Sequence, residues 1–197
     1  MPAEGLGGLI SVAIGLGLAA ACGFRVFTPL LIAGLAAHWG RLPLASGFDW
    51  LASTPALLAF GTATVLEIGA YYLPWLDHAL DLLATPAAVA AGMVAAASVV
   101  TDLPPLIKWT VTIIGGGGLA GAIQASSVLL RLKSTALTGG AGNPVVATLE
   151  LVGAVVTAVL AVVLPLLAIG LILTLTLVAL RRRRRLATLG GPPSSTR

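Results

Sequence analysis

The stretch from Val145 to Arg185, VVATLELVGAVVTAVLAVVLPLLAIGLILTLTLVALRRRRR, decides the fold. Apart from Glu150 and a few threonines it is apolar as far as Leu180, and then five arginines follow without a break. A helix rises 1.5 Å per residue, so residues 145–180 would extend ~54 Å, too far for one crossing of a hydrocarbon core ~30 Å thick. Pro165 divides the run into two crossings. The block Arg181–Arg185 then reads as a positive-inside signal that keeps the C-terminus in the cytoplasm.

The rest of the chain has the same character. Of 197 residues 58% are hydrophobic and 9% charged, with a mean hydropathy of +1.05, against ~25% charged in an average soluble domain. No water-soluble surface can be built from that composition. Lipid leaves backbone polar groups unsatisfied except in helices and closed barrels, and these apolar runs do not alternate with period two, so helices are expected. Going backwards from Val145, apolar runs cover Leu106 to Ile123, Pro86 to Thr101, Pro55 to Leu73 and Leu6 to Cys22. Val26 to Trp39 is too short for a full crossing and is expected to re-enter. Pro74 to Thr85 interleaves acidic residues with leucines and reads as a short interfacial helix. The polar segment 125–140 leads into Thr138-Gly139-Gly140-Ala141-Gly142-Asn143-Pro144, a break where the chain either crosses or re-enters.

The expected fold is therefore an all-α integral membrane domain over residues 1–185, with about six transmembrane helices. A disordered cytoplasmic tail over 186–197 would follow. No basic residue precedes the first run, which argues against a cleaved signal peptide. With both termini cytoplasmic, Arg131, Lys133 and Arg181–Arg185 lie inside, against Arg25, Arg41 and Lys108 outside, the bias expected of a multi-pass protein of the inner (plasma) membrane. The net charge of +4 resides largely in the arginine block, so nucleic acid is not an expected partner. Cys22 is the single cysteine, which excludes a disulfide framework. The small-residue surface suits a homo-oligomer such as a dimer.

The halves of the chain are similar to one another. Gly15-Leu-Gly-Leu-Ala-Ala20 matches Gly116-Gly-Gly-Leu-Ala-Gly121, and Thr64-Val-Leu-Glu67 matches Ala147-Thr-Leu-Glu150. Repeats of three spans, about 6–101 and 106–180, would be inverted in the membrane, each with a short or broken segment.

Glu67 and Glu150 are the only acidic residues inside long apolar runs. A carboxylate at mid-membrane costs ~2.5 kcal/mol or more on insertion scales, so it faces the bundle interior, a partner or a water-filled cavity. The two are candidates to bind or relay an ion. Arg25, where the first run ends, would balance a glutamate or meet an anion. Thr138, Gly139, Gly140 and Asn143 would line the path. Asp77 and Asp81 share a helix face with His78 beside them, and paired carboxylates at that spacing can hold a divalent cation with substrate phosphates. These residues point to a small transporter or channel moving an ion or small solute near the bilayer midplane, proton- or cation-coupled. The alternatives are a metal-dependent enzyme acting on a phosphorylated lipid, with the cation at Asp77 and Asp81, and a structural or scaffolding protein.

Gly23-Phe24-Arg25, Leu76-Asp77-His78 with Asp81 and Thr85-Pro86, and the Thr138 to Pro144 string before Glu150 together resemble the bacterial membrane proteins grouped as a family of unknown function, DUF 4126. The resemblance extends from about Leu6 to Leu180 and implies a compact helical membrane domain without an established activity. The chain departs from the family pattern at Tyr71-Tyr72, where an acidic-basic pair is common, and at Leu151, where a second acid is usual. Both departures argue against a many-charge ion site.

Overall fold

The computed structural model describes residues 2–70, 74–101, 103–165 and 174; for residues 2–5 and 74–82 only the backbone path is considered. The described residues are helical, without a strand. Helix α1 spans Pro2–Cys22, α2 Phe27–His38, α3 Thr54–Ala70 and α4 Pro74–Val99. Helix α5 runs the length of Pro105–Thr138, and α6 is Asn143–Val163. Both α5 and α6 are long and apolar enough to cross a membrane.

Proline and glycine set most of the boundaries. Pro105 and Pro144 open α5 and α6, where a missing N–H costs nothing. Helix α2 ends where Gly40 adopts a φ of 67°, Gly40 N–H bonding Ala37 O and Arg41 N–H bonding Ala36 O. That pair of bonds is a Schellman cap, which needs a residue able to enter the left-handed region. Leu164 leaves helical geometry at the end of α6, one residue before the proline expected to divide the long run.

Two segments differ from expectation. The interfacial helix predicted for 74–85 and the span predicted from Pro86 form one helix, α4, with Pro86 inside it. Proline removes a donor and costs ~3 kcal/mol in a helix interior, but tertiary packing supplies most helix stability in proteins, and α4 buries Ala88, Ala91 and Ala95 just beyond the proline. The polar segment after Ile123 is also helical, as α5 continues unbroken to Thr138. The run Gly115 to Gly118 does not unwind α5; residues Val111–Gly117 are wound as a π-helix. The predicted last span and the tail lie outside the described residues, Thr174 excepted.

Close contacts fix how the helices run. Ser11 Oγ lies 3.3 Å from both Thr101 O and Thr101 N, and Gly15 packs on Ala96 and Val100, so α1 and α4 are antiparallel. Helices α4 and α5 are antiparallel too, crossing where Gly92 and Gly116 meet. Ala45 N–H bonds Ser98 O at 2.7 Å, which seats the connection 39–53 at the end of the bundle where α4 finishes and α5 starts. The turn Gly139–Gly142 lies at the opposite end. Helices α1 and α2 form a hairpin whose bend, Gly23 to Val26, reaches the level of Ala147 to Gly153. That is about 6–15 Å short of the start of α6 at 1.5 Å per residue. The buried apolar residues are mostly alanine, while Leu58, Leu66, Leu106, Ile114, Leu137 and Leu149 face outward. Small residues inside let helices approach closely.

Candidate functional site

The site grows out of the turn between α5 and α6. Gly139 and Gly140 take φ values of 62° and 93°, and the turn reverses the chain so that residues equally far from it meet. Nearest the turn, Gly142 N–H donates to Thr138 Oγ1 at 2.9 Å. One step inward, Asn143 Nδ2 donates to Thr135 Oγ1 at 3.0 Å. Further in, Arg131 meets Glu150: Nε donates to Oε1 at 3.1 Å and Nη2 to Oε2 in a close contact, a two-pronged pair. Arg131 is 3% exposed and Glu150 5%.

The hairpin bend of α1 and α2 brings in the second pair of charges. Gly23 allows the approach, because a Cβ there would sit 2.6 Å from Ala120 O and Ile123 Cβ on α5. Arg25, 1% exposed, donates from Nη2 to Ala147 O at 2.7 Å and lies 4.0 Å from Glu150 Oε2. The next two residues face Glu67 on α3. Val26 N–H donates to Glu67 Oε1 at 2.8 Å and Phe27 N–H to Oε2 at 3.2 Å, so the carboxylate caps the start of α2. An acid is favourable there because the free N–H groups of a helix start carry partial positive charge.

Beside Glu67 lies a cavity of about 450 Å³ between α2, α3 and α4, walled by Val26, Phe27, Ala63, Leu66 and Ala87. Glu67 is its one charged lining residue among the described residues. Thr28 and Thr64 are buried on the facing helices, and their hydroxyls have no hydrogen-bond partner among the described residues. Helices α2 and α3 are antiparallel, with Val26 and Phe27 at Glu67 and Gly34 against Leu57. That register sets Thr28 opposite Thr64, one helical turn from Glu67.

The structure thus brings Arg25, Glu67 and Glu150 together, with the Arg25 segment between the two glutamates. The residues Thr138, Gly139, Gly140 and Asn143 belong to the turn two helical turns away from Glu150, where Asn143 N–H donates to Gly140 O at 3.1 Å. Asp77, His78 and Asp81 fall on the first turns of α4, and their side chains lie outside the described residues. No group of three metal-ligating side chains occurs among the described residues. Arg131, Thr28 and Thr64 had not been singled out from the sequence. For Arg131 a signal existed: it precedes Gly139 by eight residues as Glu150 follows Gly142 by eight, mirror positions in a helical hairpin.

These features define an all-helical protein with a four-charge cluster between its helices, two of which are long and apolar enough to cross a membrane. Across residues 12–185 the sequence matches the family described as domain of unknown function (DUF4126), and the chain belongs to that family. No curated protein and no solved structure matches it.

Proposed function

We propose that this chain is a multi-pass membrane protein, a small transporter or channel that moves an ion or small solute past Glu67 and the Arg25–Glu150–Arg131 cluster. The observation that carries this reading is the placement of Glu67, a carboxylate open to an apolar cavity and joined through residues 25–27 to a buried pair of opposite charges. Buried ionisable groups are costly in a bilayer and commonly mark ion or substrate pathways. The alanine interior and outward-facing leucines support membrane placement. A solute entering the cavity would compete for Glu67 and thereby for the start of α2, which gives a route from binding to movement of the hairpin.

In this reading the turn Gly139–Gly142 is cytoplasmic together with the arginine block. The beginning of α1 then falls on the other side, because Ser11 is level with Thr101 at the end opposite that turn. This placement replaces the expectation of a cytoplasmic N-terminus.

Flux in proteoliposomes tests the proposal, with Glu67→Gln and Glu150→Gln compared with the unaltered chain against a panel of alkali cations, protons and small anions. At least one tested species should move faster than in empty vesicles, and both variants should slow it at least tenfold. Equal flux through all three proteins would overturn the assignment of the glutamates, and flux no greater than in empty vesicles for every species would overturn the transport reading.

A further inference from the structure

A second groove, of about 530 Å³, runs between α2 and the end of α6, walled by Ile32, Leu35, Val159 and Val162, with Trp39 and Arg41 at its mouth. Its size is that of a ligand pocket, roughly 300–1,000 Å³. The walls are aliphatic. Arg41 is the one charged lining residue among the described residues and makes no ion pair with any of them. The Schellman turn through Gly40 places it there, directly after the helix whose side forms the groove.

The level of the mouth is marked independently. Trp39, Trp50 and Trp109 are all exposed, and all lie at the end of the bundle that carries the connection 39–53 and the start of α5. Tryptophan gathers at the headgroup level of a bilayer. The groove therefore opens where lipid phosphates lie and descends from Trp39 to Ile32, about 10 Å at 1.5 Å per residue.

We propose that this groove binds an anionic phospholipid, one acyl chain lying against Ile32, Leu35 and Val159 and the phosphodiester seated on Arg41. The guanidinium offers a fork of donors matched to phosphate oxygens, and the aliphatic walls match a hydrocarbon chain. The proposal rests on the membrane reading but not on transport.

The test uses the full chain in dodecyl maltoside, examined by native mass spectrometry with dioleoyl phosphatidylglycerol added. Dioleoylglycerol, which lacks the phosphate, and inorganic phosphate, which lacks the chains, serve as comparators. The unaltered protein should retain phosphatidylglycerol in preference to dioleoylglycerol, and inorganic phosphate should not displace it. Arg41→Gln, an exposed position that should leave folding intact, should lower retention roughly tenfold, the scale of one lost charge-assisted hydrogen bond. Val159→Trp, filling the groove from its partly exposed wall, should lower it as well. Equal retention of the two lipids, displacement by inorganic phosphate, or undiminished retention by either variant would overturn the site. Loss of flux activity bears on the transport reading alone, whereas release of the chain from membranes by alkaline carbonate would overturn both.

Discussion

Glu150 sits between two guanidinium groups, Arg131 on α5 and Arg25 in the bend between α1 and α2, and each of the three side chains is almost fully withdrawn from solvent. Removing one member of a buried pair leaves an uncompensated charge, so Arg131→Gln and Glu150→Gln should each destabilise the fold by about 3–5 kcal/mol, read from unfolding in a mild detergent. Glu67→Gln should cost less, because its amide oxygen still accepts one N–H from the start of α2 and the cavity remains beside it. If Glu67→Gln proved as damaging as Glu150→Gln, the capping role assigned to that carboxylate would not account for it. Three of the four charges were legible in the sequence, since an ionisable residue in or beside an apolar run stands out whatever the topology. Arg131 was hidden because it lies near Lys133 in a polar segment, where a basic residue reads as a solvated cytoplasmic charge. Thr28 and Thr64 were hidden for a different reason: threonines are common in apolar helices, and only the facing register of α2 and α3 gives these two a shared position.

At the level of the helices, proline and glycine carried most of what could be read. The breaks after Cys22 and before Pro165, the short helix over 27–38 and the start at Asn143-Pro144 all follow from local chemistry. What could not be read is where packing overrides it, as at Pro86. The polar segment of α5 was readable by periodicity: Gln124, Ser127, Arg131, Thr135 and Thr138 recur at three- and four-residue steps, one stripe of a helix. Gln124, Ser127 and Arg131 are buried, so that stripe faces inward. The crossing of α4 and α5 gives a sharper test of packing. A Cβ on Gly92 would lie 2.5 Å from Ala120 Cβ and 2.8 Å from Gly116 O, whereas one on Gly118, exposed on α5 two residues beyond Gly116, meets nothing within 4 Å. Gly92→Ala should therefore destabilise by about 1–3 kcal/mol, the cost of overpacking. Gly118→Ala should be neutral or stabilise by up to ~1 kcal/mol, since alanine is the better helix former. Thermal unfolding of the two variants side by side would show opposite signs; equal effects would mean that the close crossing does not constrain the glycine.

For the whole molecule, the deciding geometric fact is that the described chain has two well-separated ends. The connection 39–53 meets the end of α4 through Ala45 and Ser98, and the turn Gly139–Gly142 lies a full helix length away along α5 and α6. If the bundle spans a bilayer, the two ends must face different compartments. Ser46 and Ala141 are exposed at the respective ends, and the native Cys22 is buried and so shielded from water-soluble thiol reagents. Ser46→Cys should then react with a membrane-impermeant maleimide from outside intact cells, and Ala141→Cys only after the membrane is opened. The arginine block predicts that direction, because basic residues flanking spans collect on the cytoplasmic side. Labelling of both cysteines from the same side would be incompatible with α5 and α6 crossing the bilayer as a hairpin. Opposite sides in the reverse order would keep the hairpin and overturn the orientation inferred from charge. The same pair of variants bears on the charge cluster, since the bend of the α1–α2 hairpin stops about 6–15 Å short of the start of α6 at 1.5 Å per residue. With the start of α6 at the cytoplasmic face of a core ~30 Å thick, Glu150, seven residues into that helix, lies about 10 Å deep, so a cytoplasmic Ala141 puts the charge cluster in the cytoplasmic half of the core but nearer its midplane than its face.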